Sequence, residues 1–304
     1  MRETTSTDDA DHNHIRSGLL LAIGGTALFA LKSIFIKFAY QYGVDTTTLL
    51  TLRMLIALPF YLAMLWWLLR KPDARKLPVP RALAAVFGLG FMGYYLASWL
   101  DMEALNHISA QLERLTLYTY PVMTTLLGWF FLRETITRRV VLALVFTYGG
   151  VLLLYWRESM AAGSNTGLGV ALVVASALTF SAYVIMSKGM IGKLGSRLFT
   201  SLAMLSSTVF ILVHFAATHS LTDLLINQAA WVWAFLLGFV STVLPSFMVS
   251  EAIARLGAAK TSIVGTAGPV FTILLAVLLL GEPFGWFHLA GMLLVMYGVS
   301  LLGK

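Results

Sequence analysis

The chain has 304 residues, 59% hydrophobic and only 12% charged, against roughly 25% charged in a soluble domain, which excludes an ordinary soluble fold. It has no cysteine, so disulfides, thiolate metal sites and iron–sulfur clusters are excluded. The net charge of +7 is absorbed by the topology described below, and a nucleic-acid partner is not needed to account for it.

Residues 1–15 are polar and acidic, with Asp8, Asp9 and Asp11, and read as a disordered tail without the charged start and small-residue site of a cleavable signal. A membrane-crossing helix needs about 20 apolar residues, and that pattern recurs in chain order. Spans are expected near 16–39, 47–69, 81–104, 108–132, 138–156, 167–188, 196–217, 229–253, 257–280 and 286–303. The first carries Lys32 and Lys37, the second Arg53, the third Asp101 and Glu103, and the fourth Glu113 and Arg114. The fold class is therefore all-α and integral to the membrane, with ten transmembrane helices.

The hydrophobic pattern occurs twice. Glu103, Pro121 and Glu134 repeat as Glu251, Pro269 and Glu282 at an offset of 148, and Gly90-Phe91 repeats as Gly238-Phe239. Near the N-terminus the offset is 151, pairing Gly18 with Gly169 and Lys37 with Lys188. Basic residues fall on one side: Arg2 and Arg16, the run from Arg70 to Arg81, Arg133 to Arg139, Lys188 to Arg197, Arg255, Lys260 and Lys304, with Arg157 alone opposite. The positive-inside rule then puts both termini in the cytoplasm. Five spans per half is an odd number, so the halves are inverted about an axis in the membrane plane, as in many transporters.

The stretch Glu103-Ala-Leu-Asn-His-Ile-Ser-Ala, its partner Glu251-Ala-Ile-Ala-Arg-Leu-Gly-Ala-Ala, the mid-span prolines and Gly281-Glu282 resemble the drug/metabolite transporter superfamily, most closely its EamA branch. The resemblance covers residues 16–303, as a first EamA-like repeat over 16–156 and a second over 167–303. It implies that spans 1, 3, 4, 6, 8 and 9 line a central cavity, with 5 and 10 peripheral. It is specific for fold and weak for substrate. Span 4 departs from its own repeat, with Glu113-Arg114 where span 9 has Thr261-Ser262.

An ionisable group at the bilayer centre costs at least about 2.5–3.5 kcal/mol on insertion scales, so it faces protein or water. All seven membrane-embedded charges of the first half are expected in its outer part, and their repeat partners keep only Lys188 and Glu251. Two readings compete: an ion-pair network closing the outer end, or a substrate or gate site. The candidate set is Lys32, Arg53, Tyr94, Tyr95, Ser98, Trp99, Asp101, Glu113, Arg114, Tyr118, Tyr183, Ser246, Ser262 and Thr266. Tyr94, Ser98 and Asp101 share a helix face, as do Arg114, Tyr118 and Pro121. If those faces meet, they enclose a space for a small zwitterion or anion with an apolar body. Pro121, Pro245 and Pro269 are candidate hinges, since Pro121 and Pro269 free the carbonyls of Leu117 and Gly265.

His107, His214, His219 and His288 lack metal-ligand spacing, and Glu134 and Glu282 read as helix-start residues. Ala143 and Gly150 with Gly291 and Gly298 suit close packing or a homodimer contact through spans 5 and 10. No metalloprotease, nucleophile-elbow or phosphate-loop motif is present, so neither a catalytic site nor a cofactor is expected. The sequence therefore reads as a secondary transporter of the inner membrane, exporting small polar or amphipathic, amino-acid-like metabolites by alternating access. The alternatives are an intramembrane enzyme on a lipid-linked substrate and a lipid-carrier flippase of the same fold.

Overall fold

A computed structural model describes residues 4–70, 80–133, 135–162, 165–256, 261, 264–265 and 267–303. Every regular element among the described residues is helical. Helix α1 is Thr4–Gln41 and α2 is Thr46–Leu69. Helix α3 runs through Pro80–Gly90, a π-helical stretch Phe91–Leu96, and Ala97–Ala104. Then come α4 (Ala110–Leu117), α5 (Tyr120–Leu132), α6 (Arg138–Ala162), α7 (Thr166–Leu194) and α8 (Ser196–Thr218). Helix α9 runs through Gln228–Phe235, a π-helical stretch Leu236–Val243, and Leu244–Leu256. Gly268–Leu280 and Trp286–Ser300 are α10 and α11.

Seven of these helical runs are long and apolar enough to cross a membrane, while α10 and α11 are apolar but shorter. Much of the outward surface is large and hydrophobic, including Phe130, Trp156 and Leu278, each about two-thirds exposed. Such a surface suits lipid and not water.

Helix α1 takes in residues from Thr4 onward. No glycine or proline interrupts the chain before Gly18. One expectation changes here. The span expected at 108–132 is two helices, broken after Leu117, with Pro121 in the first turn of α5. A proline has no N–H to give an interior turn and suits the start of a helix. Pro269 opens α10 in the same way, so both prolines begin helices instead of kinking continuous ones.

Contacts between the turns define two ends. His219 Nε2 meets Asp45 Oδ1 at 3.2 Å, Ser109 bonds Glu158, and Ala110 N–H reaches Glu282 Oε1 at 2.7 Å. These turns form the distal end, remote from the N-terminus. At the proximal end Arg197 and Arg255 both hold Glu251, and Arg255 also reaches Ser17.

The sequence halves interlock. Helix α1 packs along α9 and α10 of the second half, and α7 packs along α3, α4 and α5 of the first. Helices α2 and α8 pair, as do α6 and α11. Glycines recur at these close approaches. A Cβ on Gly18 would meet Arg255 and Leu256, and one on Gly169 would meet His107 and Ile108. Those contacted pairs are themselves 148 residues apart, so equivalent residues make equivalent contacts. Between α6 and α11, Gly150 abuts Gly291, and Gly298 abuts Ala143 and Thr147. These small faces pack on each other within one chain.

Candidate functional site

The charges of the first half converge at the seam between the interlocked groups, toward the distal end. Lys32, on α1, points its Nζ at Asp101 Oδ2 of α3, 2.5 Å away. One residue along, the Ser33 hydroxyl donates to Glu113 Oε2 of α4 at 2.6 Å and accepts from an Arg114 Nη2 at 2.8 Å. Asp101 and Glu113 are almost completely buried, at 1% and 0% exposure. Lys32, Ser33, Asp101, Glu113 and Arg114 are thus one network, and every bond from α1 crosses the seam. A buried ion pair is costly to form and costlier to break on one side.

Arg53, expected in the same set, stands beside this network. Its Nε donates to Thr242 Oγ1 at 2.9 Å, and its Nη1 approaches Met102 Sδ at 4.0 Å. Thr242 sits in the π-helical stretch of α9. Such stretches widen a helix locally and free backbone groups, and they cluster at functional sites. The matching stretch on α3 carries Tyr94 and Tyr95. Neither stretch has a signature in the hydrophobic periodicity.

The aromatic residues do not share one space with the charges. Tyr183 OH donates to Tyr94 OH at 3.1 Å, in a cluster with Phe180 and Phe199 on the proximal side. Tyr95 OH meets His214 Nδ1 at 3.0 Å, and Trp99 Nε1 donates to Thr47 Oγ1 at 3.1 Å, both against α2 and α8. Ser98 is half-buried between them. The two expected faces therefore separate into three groups, because α3 is surrounded and its turns address different neighbours. Ser246, with Pro245 in α9, meets Tyr61 OH at 3.1 Å beside a cavity of about 20 Å³, roughly the size of one water. Ser262 and Thr266 lie outside the described residues, as does Glu134.

Tyr118 OH donates to Gly265 O at 3.0 Å. That carbonyl is the one Pro269 leaves without its helical partner, so a candidate site residue satisfies a candidate hinge. Glu282 is also reassigned. Its carboxylate accepts from the N–H groups of Ala110 and Gln111 and caps α4, not the start of α11. The free N–H groups of a helix start attract a carboxylate wherever it comes from. Sequence position alone cannot show that, because Glu282 and Ala110 are far apart in the chain.

At the distal surface, Lys37, Asn106, His107, Ser109, Glu158 and His288 line a cleft of about 300 Å³. The Asp45 carboxyl there caps α2 through Thr48 N–H. Partial burial pushes its pKa up, but the Thr48 bonds and nearby His219 outweigh that and hold it below the ordinary carboxylate range. Among the described residues no three histidine or carboxylate groups are arranged to hold a metal. Sequence reasoning passed over Ser33, Tyr61 and Pro59, which lies inside α2. Serines and threonines this common in apolar helices give no signal until their partners are seen.

The model of the EamA-like transporter family matches residues 16–156 and 167–304. The chain is 27% identical over 286 residues to the "Uncharacterized transporter YcbK" of Bacillus subtilis (strain 168), covering 90% of this chain and 89% of that one. It is 25% identical over 222 residues to the "Uncharacterized transporter YyaM" of the same organism, covering 69% and 70%. A solved structure, titled only "Crystal structure of protein", has the same fold, with a TM-score of 0.64 at 18% identity over 94% of this chain and 95% of that one.

Proposed function

The chain belongs to the EamA-like transporter family of the drug/metabolite transporter superfamily, and from that premise we propose that it exports small polar or amphipathic metabolites by alternating access. It is a multi-pass membrane transporter. Ten crossings as two inverted five-helix repeats are supported by the equivalent contacts of Gly18 and Gly169 and by the matched helix starts at Pro121 and Pro269. The bias of basic residues supports an inner-membrane orientation with a cytoplasmic proximal end.

One observation carries the reading. Lys32 and Ser33 reach across the seam to Asp101, Glu113 and Arg114, joining buried charges from three helices. Bonds that cross such a seam break when the interlocked groups move apart, and a substrate carboxylate can replace Asp101 or Glu113 as the anionic partner of a cation. An amino-acid-like molecule offers that carboxylate. The remaining candidates, Arg53, Tyr94, Tyr95, Ser98, Trp99, Tyr118, Tyr183, Ser246, Ser262 and Thr266, then line or gate its path, with Pro121 and Pro269 at helix starts and Pro245 within α9 as the points about which segments pivot.

The test is a panel of amino acids and related metabolites, scored by thermal stabilisation of detergent-solubilised protein, since a ligand of the folded state raises its stability. The expected result is stabilisation by one chemical class, abolished in Arg114→Ala with little loss of fold. Stabilisation that survives in Arg114→Ala and in Lys32→Ala would remove the network from the substrate path. Conversion of a lipid-linked substrate by the purified protein would favour an enzyme.

A further inference from the structure

The network contains two carboxyl groups whose bonding is incomplete. Asp101 Oδ2 faces Lys32, and Glu113 Oε2 accepts from Ser33. The other oxygen of each, Asp101 Oδ1 and Glu113 Oε1, is fully enclosed and has no donor directed at it among the described residues. Their partners Lys32 and Ser33 are consecutive on α1, which brings the two carboxyl groups side by side and within each other's electrostatic influence. Two ionised carboxylates in contact away from water repel, and an enclosed oxygen without a donor forfeits its solvation. A single proton between them removes both penalties, as in other paired carboxyls.

We infer that Asp101 and Glu113 form a proton-binding pair, holding one proton between their unpartnered oxygens and exchanging it with solvent when the seam opens. The proton binds as one O–H bond and leaves as the same bond breaks, so no other reactant is involved. The charged groups that face the pair are Lys32 and Lys37 from α1, Arg53 from α2 and Arg114 from α4. With the pair singly protonated, Lys32 and Arg114 are balanced by one negative charge, leaving room for one anionic group on a substrate. Proton and anion would then be carried together. These two cations also argue against sodium, which needs several oxygen ligands and no positive neighbours. The second half has no such pair, since Val249 and Thr261 stand at the equivalent positions. The proton site stands on its geometry, and only its use in coupling rests on the transport reading.

Infrared difference spectra of the full-length protein, recorded between neutral and alkaline pH, test it without any substrate. The expected signal is the C=O stretch of a protonated carboxyl at neutral pH, lost at alkaline pH. It should fall by one carboxyl equivalent in Glu113→Gln and in Asp101→Asn, and persist in Glu158→Gln, which alters a carboxyl outside the pair. Glu113→Gln should fold, because its amide can donate to Asp101 Oδ1 as the proton does; failure to fold would count against the pair. The inference is overturned if the signal is absent at neutral pH or undiminished in both variants. It is also overturned if sodium removes the signal at fixed pH. Failure here leaves transport standing, and a protein without transport could still show the band.

Discussion

The two repeats share a frame but close the bundle with opposite chemistry. In the first half, Lys32, Asp101, Glu113 and Arg114 meet across the seam near the distal end. Their partners in the second half are Tyr183, Val249, Thr261 and Ser262, and around Tyr183 the proximal side is filled by stacked rings and one hydroxyl contact. Ring packing changes little with protonation, whereas an ion-pair network can be rewired by a proton or a charged ligand. The same backbone plan therefore supports stacked rings at one end and buried charge at the other. Ionic bonds reappear at the proximal surface, where Arg197 and Arg255 hold Glu251, but that carboxylate is 38% exposed, and exposed pairs contribute little.

The largest expected effect breaks the distal side. Lys32→Ala leaves the Asp101 carboxylate buried without its cation and should destabilise the protein by about 3–5 kcal/mol. Removing Asp101 as well should restore most of that loss. Chemical denaturation in detergent reads both, and a Lys32→Ala cost below about 1 kcal/mol would show that the distal network is no more than packing. A smaller effect is expected proximally. Tyr183→Phe removes one hydroxyl contact and keeps the ring stack, so it should cost about 0.5–1.5 kcal/mol. A cost as large as that of Lys32→Ala would erase the contrast between the ends.

The smallest effect concerns a single backbone angle. Helix α5 ends on Arg133 in the left-handed region, φ 56°, and α10 ends on Gly281 at φ 66°. These are equivalent positions, and glycine reaches that region without the cost a side chain imposes. Arg133→Gly should raise stability by up to about 1 kcal/mol, and Gly281→Ala should lower it by a similar amount. Equal and opposite shifts in melting temperature would show that the two turns are mechanically alike despite their different residues.

Helix positions, the duplicated pattern and the special charge content of the first half were legible in the chain, because hydrophobic runs and their offsets are local properties of sequence. Pro121 and Pro269 stood out in the chain as points inside continuous spans, and only the structure made them helix starts. The pairing was not legible. Arg114 and Asp101 look like natural partners, yet Lys32 takes Asp101 and Arg114 turns to Ser33. Glu282 looks like the start of its own helix, yet it caps α4. Those choices depend on which helices touch and on how each is rotated, which the interlocking of the two halves decides. Sequence by itself determined that charge would be buried in a duplicated membrane bundle; only the tertiary structure decided which charges meet, because a buried ion takes the partner that geometry delivers.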